Sequence, residues 1–201
     1  MEKGDVFVIS APSGSGKTTI CRNLVHRVEG LELSVSYTTR PRKPGEEDGK
    51  DYFFIPDAEF DKMVNSKEFL EYATVYGNRY GTSRERVRSI VARGVDVVLE
   101  IDVQGGRKVE EALPEAVLVG IFPPDWETLE RRLSGRGRDS REEMETRLEA
   151  AGREMRELLA YGYLVVNDDL EKAVAQVEWI VRAHRLRRDR VRARMETILK
   201  R

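Results

Sequence analysis

At 201 residues, with 35 Lys and Arg against 36 Asp and Glu and a net charge of −1, the chain has the size of one domain carrying insertions. Its balanced charge supplies no global field for nucleic acid or an anionic membrane, so any anion site has to be built locally. The single cysteine, Cys21, rules out an internal disulfide and fits a reducing compartment. No apolar run approaches the ~18 residues that cross a bilayer, and a cytoplasmic location is expected.

In chain order, the apolar run Val6–Ser10 predicts a buried strand, and a helix is expected from near Lys17. A stretch of different character follows over 34–83, rich in Tyr, Thr, Gly and short alternating segments, and reads as a small mixed α/β insertion. Strand-length apolar runs return at Val95–Ile101, Val117–Phe122 and Leu164–Val166. They alternate with helices expected near Gly105, Asp125, Ser140 and Asp169, several of them behind Ser or Asp caps. This alternation predicts an α/β fold, a parallel sheet with helices on both faces. The core comprises 1–33, 84–125 and 148–184. Segment 126–147 is dense in Arg and Gly and reads as a lid. The basic run from Arg182 to Arg194 reads as a solvated helix continuing from Trp179 and Ile180, and 185–201 as a helical extension.

Residues 11–18, Ala-Pro-Ser-Gly-Ser-Gly-Lys-Thr, stand between the first strand and the first helix. Glycines there let successive backbone N–H groups converge on phosphate oxygens, and the helix directs its positive end at them. Ala11, Pro12, Ser13, Gly14, Ser15 and Gly16 would cradle the phosphates of a nucleoside triphosphate, with Thr19 beside them. Lys17 would reach the β- and γ-phosphates, and Thr18 the Mg²⁺. Ala11 replaces the usual first glycine, where a small residue suffices. Asp102, at the end of the strand Val97-Val98-Leu99-Glu100-Ile101, suits a metal approached through water, or else a cap for the helix at Gly105.

Such a loop serves kinases, GTPases, motors and transporter ATPases alike, so the insertion decides. It gathers Ser36-Tyr37-Thr38-Thr39-Arg40-Pro41-Arg42, then Asp48-Gly49-Lys50-Asp51-Tyr52, Glu68-Phe69-Leu70-Glu71, and Gly77-Asn78-Arg79-Tyr80-Gly81-Thr82. Arg forks and Tyr hydroxyls suit a phosphate; a carboxylate and a hydroxyl suit a polar base.

These runs, with Leu99-Glu100-Ile101-Asp102-Val103-Gln104-Gly105 and Val165-Val166-Asn167-Asp168-Asp169, resemble guanylate kinase in order and spacing from the loop to about Ala183; the domain is expected over 4–184. The resemblance implies transfer of the ATP γ-phosphoryl group to GMP or dGMP with Mg²⁺. It places Ser36, Arg40, Tyr52 and Tyr80 on the GMP phosphate and Glu71, Thr82 and Glu100 on the guanine. Lys43 stands where a second phosphate-binding Arg is usual, with Arg42 adjacent. Arg132, Arg136 and Arg147 match the ATP- and transition-state-binding arginines, and Asn167 joins the ATP-binding set. Lys17, Arg40, Arg136 and Arg147 are then the catalytic residues. Guanine chemistry agrees: its ring N–H and exocyclic NH₂ are parallel donors that one carboxylate accepts together, and Thr82 can donate to O6, whereas adenine fails at both positions.

No general base is required, since a GMP phosphate oxygen is already ionised; His26 and His184 are assigned to packing or surface. Two rivals stand beside this reading: a guanylate-kinase-like peptide-binding module, and a kinase of the same fold acting on a phosphorylated ribose. The intact loop argues against the first, and Glu71 with Thr82 against the second. Oligomeric state is left open, and the basic C-terminal run lacks the interleaved aromatics of a nucleic-acid surface.

Overall fold

The computed structural model describes residues 3–75, 77–134 and 141–199, without the side chains of residues 141–143, 193 and 194. The elements run β1 (Val6–Ser10), α1 (Lys17–Arg27), β2 (Leu31–Leu33), β3 (Tyr37–Thr38), β4 (Phe53–Phe54), α2 (Asp57–Asn65), β5 (Phe69–Val75), β6 (Asn78–Ser83) and α3 (Arg84–Ala92). They continue through β7 (Asp96–Glu100), α4 (Val103–Ala112), β8 (Val117–Phe122), α5 (Trp126–Ser134), α6 (Arg141–Leu158), β9 (Tyr163–Val166), α7 (Leu170–Arg185) and α8 (Arg188–Leu199).

A parallel sheet in the order β2-β7-β1-β8-β9 forms the core. Strand β1 is buried on both faces, which explains its unbroken apolar run. Alternate side chains serve two cores. Phe7 and Ile9 pack with Ile20, Cys21 and Leu24 of α1 and Val174, Val177 and Val181 of α7. Val6 and Val8 pack on the opposite face with Val87 of α3, Val109 of α4 and Leu158 of α6. Helices therefore cover both faces, as the alternation of runs predicts. The expected boundaries shift by a residue or two: the strand expected over Val95–Ile101 is Asp96–Glu100, and the helix expected near Gly105 begins at Val103 because Asp102 caps it.

The insertion forms its own four-stranded sheet, ordered β4-β3-β6-β5, with α2 packed on it through Phe60, Met63 and Phe69. It returns to the core where Ser83 caps α3, its hydroxyl accepting from the Arg86 N–H at 3.4 Å. Helices α5 and α6 pack through Leu129, Leu133 and Ala151. The loop expected between them, with Arg136, lies outside the described residues.

The basic C-terminal run departs from the single solvated helix expected of it. Helix α7 ends at Arg185 and α8 starts afresh at Arg188, because the run carries ties to the base of the sheet. Arg185 donates to Asp96 Oδ2 at 2.7 Å and to the Glu29 and Gly30 carbonyls. Asp96 also accepts from the Asp5 N–H, and Arg190 pairs with Asp5 at 3.1 Å. Buried His184 packs edge-on against Phe7, with Nε2 3.3 Å from Asp5 Oδ2, and burial pulls its basicity down. The assignment of His184 to packing holds; its acidic neighbour is remote in sequence.

Candidate active site

The loop after β1 opens because Gly14 and Gly16 take φ of 86° and 85°, a region that a Cβ would strain. Ser15 N–H closes on Pro12 O at 3.2 Å, and α1 begins at Lys17, aiming its unsatisfied N–H groups into the cradle. The cleft above it, about 920 Å³, is lined by residues 11–19 together with Val75, Asp102, Arg132 and Glu154. Asn167 props the cradle from behind: its Nδ2 donates to Ser15 O at 2.7 Å, and a Cβ on Gly16 would lie 2.6 Å from that nitrogen. Arg132 donates to the Asn167 carbonyl at 3.2 Å, and Arg147 reaches Ser13 Oγ at 3.4 Å, so α5 and α6 bring both arginines to the cradle.

A second cleft of about 600 Å³ lies between this cradle and the insertion sheet. Its lining includes Ser36, Tyr52, Glu71, Tyr80, Glu100 and Asp102. Glu71 and Thr82 face each other across β5 and β6, and the Thr82 hydroxyl donates to Glu71 Oε1 at 2.6 Å. Thr82 thus commits its hydrogen to the buried carboxylate, which has more need of it than an open cleft does. Burial pushes the Glu71 carboxyl up to about 7, against the lowering effect of Thr82. Gly105, in the first turn of α4, leaves room for it: a Cβ there would sit 2.6 Å from Glu71 Oε2. At the other end of the cleft, Tyr52 and Tyr80 meet edge to face at 5.8 Å, and Arg40 lies over the Tyr52 ring at 5.4 Å. Burial and then the Glu100 carboxylate push the Tyr52 phenol up to about 12. Arg40 is held by Glu46 Oε1 at 2.7 Å and by the Pro41 carbonyl. Lys43 is exposed on the outer loop, where its backbone N–H donates to Glu46 Oε2.

The two clefts share Lys17, Val75 and Asp102. Lys17 Nζ donates to Ile101 O at 2.7 Å, and the Thr18 hydroxyl donates to Glu100 Oε1. Asp102 performs the capping role, its Oδ1 accepting from Gly105 N–H at 2.9 Å, while lining both clefts. The donor set suits a hard cation held mainly by phosphate: one hydroxyl and carboxylates within reach, and no cluster of three or more His, Cys, Asp or Glu ligands among the described residues.

Sequence reasoning passes over Glu154 and Tyr161. Glu154 reaches the triphosphate cleft from α6, where burial drives its carboxyl up to about 7 despite nearby Lys17. Tyr161 donates to Ser10 Oγ at 3.1 Å, and Ser10 donates to the Asp102 carbonyl at 3.2 Å, a buried chain that steadies the end of β7. Neither carries a local signal, because each acquires its role only across the packed sheet.

A triphosphate cradle at the carboxyl end of a parallel sheet, with a separate polar cleft opening onto the same lysine, defines the P-loop nucleotide kinases as a class. The guanylate kinase family profile matches residues 3–184. The chain is 50% identical to a guanylate kinase of Neisseria gonorrhoeae over 188 residues, 94% of this chain and 92% of that one. It is 42% identical to one from Salmonella paratyphi A over 201 residues, 99% and 97% of the two chains. The crystal structure of guanylate kinase from Anaplasma phagocytophilum superimposes with a TM-score of 0.78 at 34% identity, covering 92% of this chain and 88% of that one. The chain belongs to the guanylate kinase family.

Proposed function

We propose that this protein transfers the γ-phosphoryl group of Mg²⁺-bound ATP in line to a phosphate oxygen of GMP or dGMP, releasing ADP and GDP or dGDP. The observation that carries this reading is the pair of clefts meeting at Lys17: one ammonium borders both the triphosphate cradle and the acceptor cleft. The P–O bond that forms and the one that breaks both involve ionised phosphate oxygens, so no proton has to move and no base is required.

Backbone N–H groups of 13–18 hold the donor phosphates, with Arg132 and Arg147 adding charge-assisted donors; Arg136 is assigned by resemblance alone. Arg40, Tyr52, Tyr80 and Ser36 grip the acceptor phosphate, for which Arg40 exchanges part of its bonding with Glu46. Glu71 accepts the paired guanine N–H donors; Thr82, its hydrogen given to Glu71, holds that carboxylate in place, and Glu100 completes the base site. Thr18 and Asp102 would hold Mg²⁺, which supplies charge neutralisation between the phosphates when bound. Segment 126–147 is assigned the lid that excludes water, since an open site would hydrolyse ATP. The setting is purine nucleotide supply in the cytoplasm. A helix long and apolar enough to cross a membrane is absent among the described residues.

A coupled assay with ATP, with and without Mg²⁺, against GMP, dGMP, AMP and ribose 5-phosphate tests the reading. Turnover confined to GMP and dGMP in the presence of Mg²⁺ is expected. Equal turnover of AMP or of the ribose phosphate would overturn the base assignment, and no turnover with any acceptor would return the peptide-binding alternative.

A further inference from the structure

We propose that the Glu100 side chain couples the two substrate sites, by accepting the Thr18 hydroxyl of the triphosphate loop while lining the acceptor cleft, so that filling either site orders the other. The proposal rests on the reading above, in which the two clefts take ATP and GMP.

The contact spans 82 residues of sequence and joins groups belonging to different clefts: Thr18 lines the triphosphate cleft, Glu100 the acceptor cleft. A threonine hydroxyl has one hydrogen and two lone pairs. With the hydrogen given to Glu100, only lone pairs remain for the triphosphate side, the orientation a cation requires. Without that acceptor the hydroxyl is free to rotate, since threonine divides between two rotamers in a helix. Glu100, half-buried at the end of β7, gives Thr18 one carboxylate oxygen, Oε1, and lines the acceptor cleft, so a nucleotide there that donates to the same carboxylate would hold it in that arrangement.

Other links between the clefts carry no comparable signal. Lys17 donates to Ile101 O, a backbone atom, so this contact ties it to the sheet and not to a side chain of the acceptor cleft. Asp102 is locked as the α4 cap. Val75 offers only van der Waals contact. Glu100 is the side chain that can respond from one cleft to the other.

Calorimetric titration of the full chain tests this. GMP and the Mg²⁺ complex of a non-hydrolysable ATP analogue are each titrated alone and against a saturating amount of the other. In the wild type each ligand is expected to lower the Kd of the other by the same factor, on the order of tenfold, as linkage requires. Glu100→Ala brings that factor to about one while both ligands still bind, and the analogue without Mg²⁺ keeps its wild-type Kd. Thr18→Ser, which keeps the hydroxyl, keeps most of the factor. Glu100→Met, of similar length and without an acceptor oxygen for Thr18, serves if the alanine variant does not fold, and the factor is again lost. A cross-factor near one in the wild type, or one surviving in either Glu100 variant, overturns the proposal. Absence of any heat from GMP with the wild type would instead overturn the function assigned above.

Discussion

Gly105→Ala tests base recognition with a single methyl group. The residue occupies the first turn of α4, where its N–H bonds Asp102 Oδ1 at 2.9 Å; an alanine Cβ would sit 3.2 Å from that same oxygen, so the cap has to give by a few tenths of an ångström. Its φ is not in the left-handed region, so alanine brings no backbone strain there and adds helix propensity of up to about 1 kcal/mol. The new Cβ, however, would lie 2.6 Å from Glu71 Oε2 and 3.1 Å from its Cδ. The carboxylate has to retreat by about half an ångström or turn, which takes its 2.6 Å bond from Thr82 and its aim at the base out of good geometry. Losing one charge-assisted hydrogen bond to guanine costs roughly 1.5–3 kcal/mol, or about 10- to 150-fold in kcat/KM.

The assay compares GMP with IMP, which lacks the exocyclic amino group, in steady-state turnover at saturating ATP. In Gly105→Ala the preference for GMP over IMP is expected to fall by at least about tenfold, with a net stability loss of no more than about 2 kcal/mol because helix propensity offsets part of the crowding. ATP saturation should stay near wild type, because residues 11–19 are untouched. An unaltered GMP-to-IMP ratio in a variant of normal stability would refute the assignment of Glu71 as the base reader and of Gly105 as the residue that makes space for it.

Glu71→Gln stabilises the protein while disabling it. A carboxyl raised to about 7 by burial favours folding below its unfolded value near 4.5, and that contribution is lost as pH rises toward 7; at pH 8 the amide therefore recovers on the order of 3 kcal/mol, measured by urea unfolding, and GMP preference collapses. If the variant were less stable than the wild type at pH 8, burial would not be the dominant influence on this group. Asn167→Ala orphans the Ser15 carbonyl, which should cost about 1–3 kcal/mol and raise the Kd for ATP with little change in GMP binding; equal effects on both nucleotides would contradict its placement behind the cradle. Asp96→Ala leaves Arg185 and the Asp5 N–H without their buried acceptor and is expected to lower unfolding stability by about 3 kcal/mol, with kcat retained in the folded fraction; a loss under about 0.5 kcal/mol would show that the C-terminal ties contribute nothing.

The parallel core was legible because its central strands are buried on both faces, leaving apolar runs such as Val6-Phe7-Val8-Ile9 that no amphipathic helix produces. Strand β2 is three residues long at the sheet edge, and β3 and β4 have two residues each, too short for a periodic signal. Helix α3 buries only Val87 fully, so its apolar stripe is thin, and Ser83 is the one local cue to its start. In the site, the cradle was readable because adjacent residues build it, and Glu71 with Thr82 because paired strands carry them in recognisable runs. The Thr18–Glu100 contact, Glu154 and the Tyr161–Ser10 chain were not, since each depends on approach between distant elements.

The acceptor cleft presents a polarity that neither sequence nor composition displays. Glu71, Glu100 and Asp102 line it, although it is assigned a substrate that carries a phosphate. A phosphate placed at the Glu71 end would meet that carboxyl with Asp102 beside it, while the Tyr52 and Tyr80 hydroxyls and the nearby Arg40 would attract it at the other end, where Glu100 adjoins Tyr52. Under the assignment proposed above, the nucleotide would lie with its base toward Glu71 and its phosphate toward the lysine that also borders the triphosphate cradle. This orientation also explains why Glu71 is deeply buried: with its ionised form disfavoured in the empty cleft, the carboxylate gains its charge most readily when guanine supplies the donors that stabilise it.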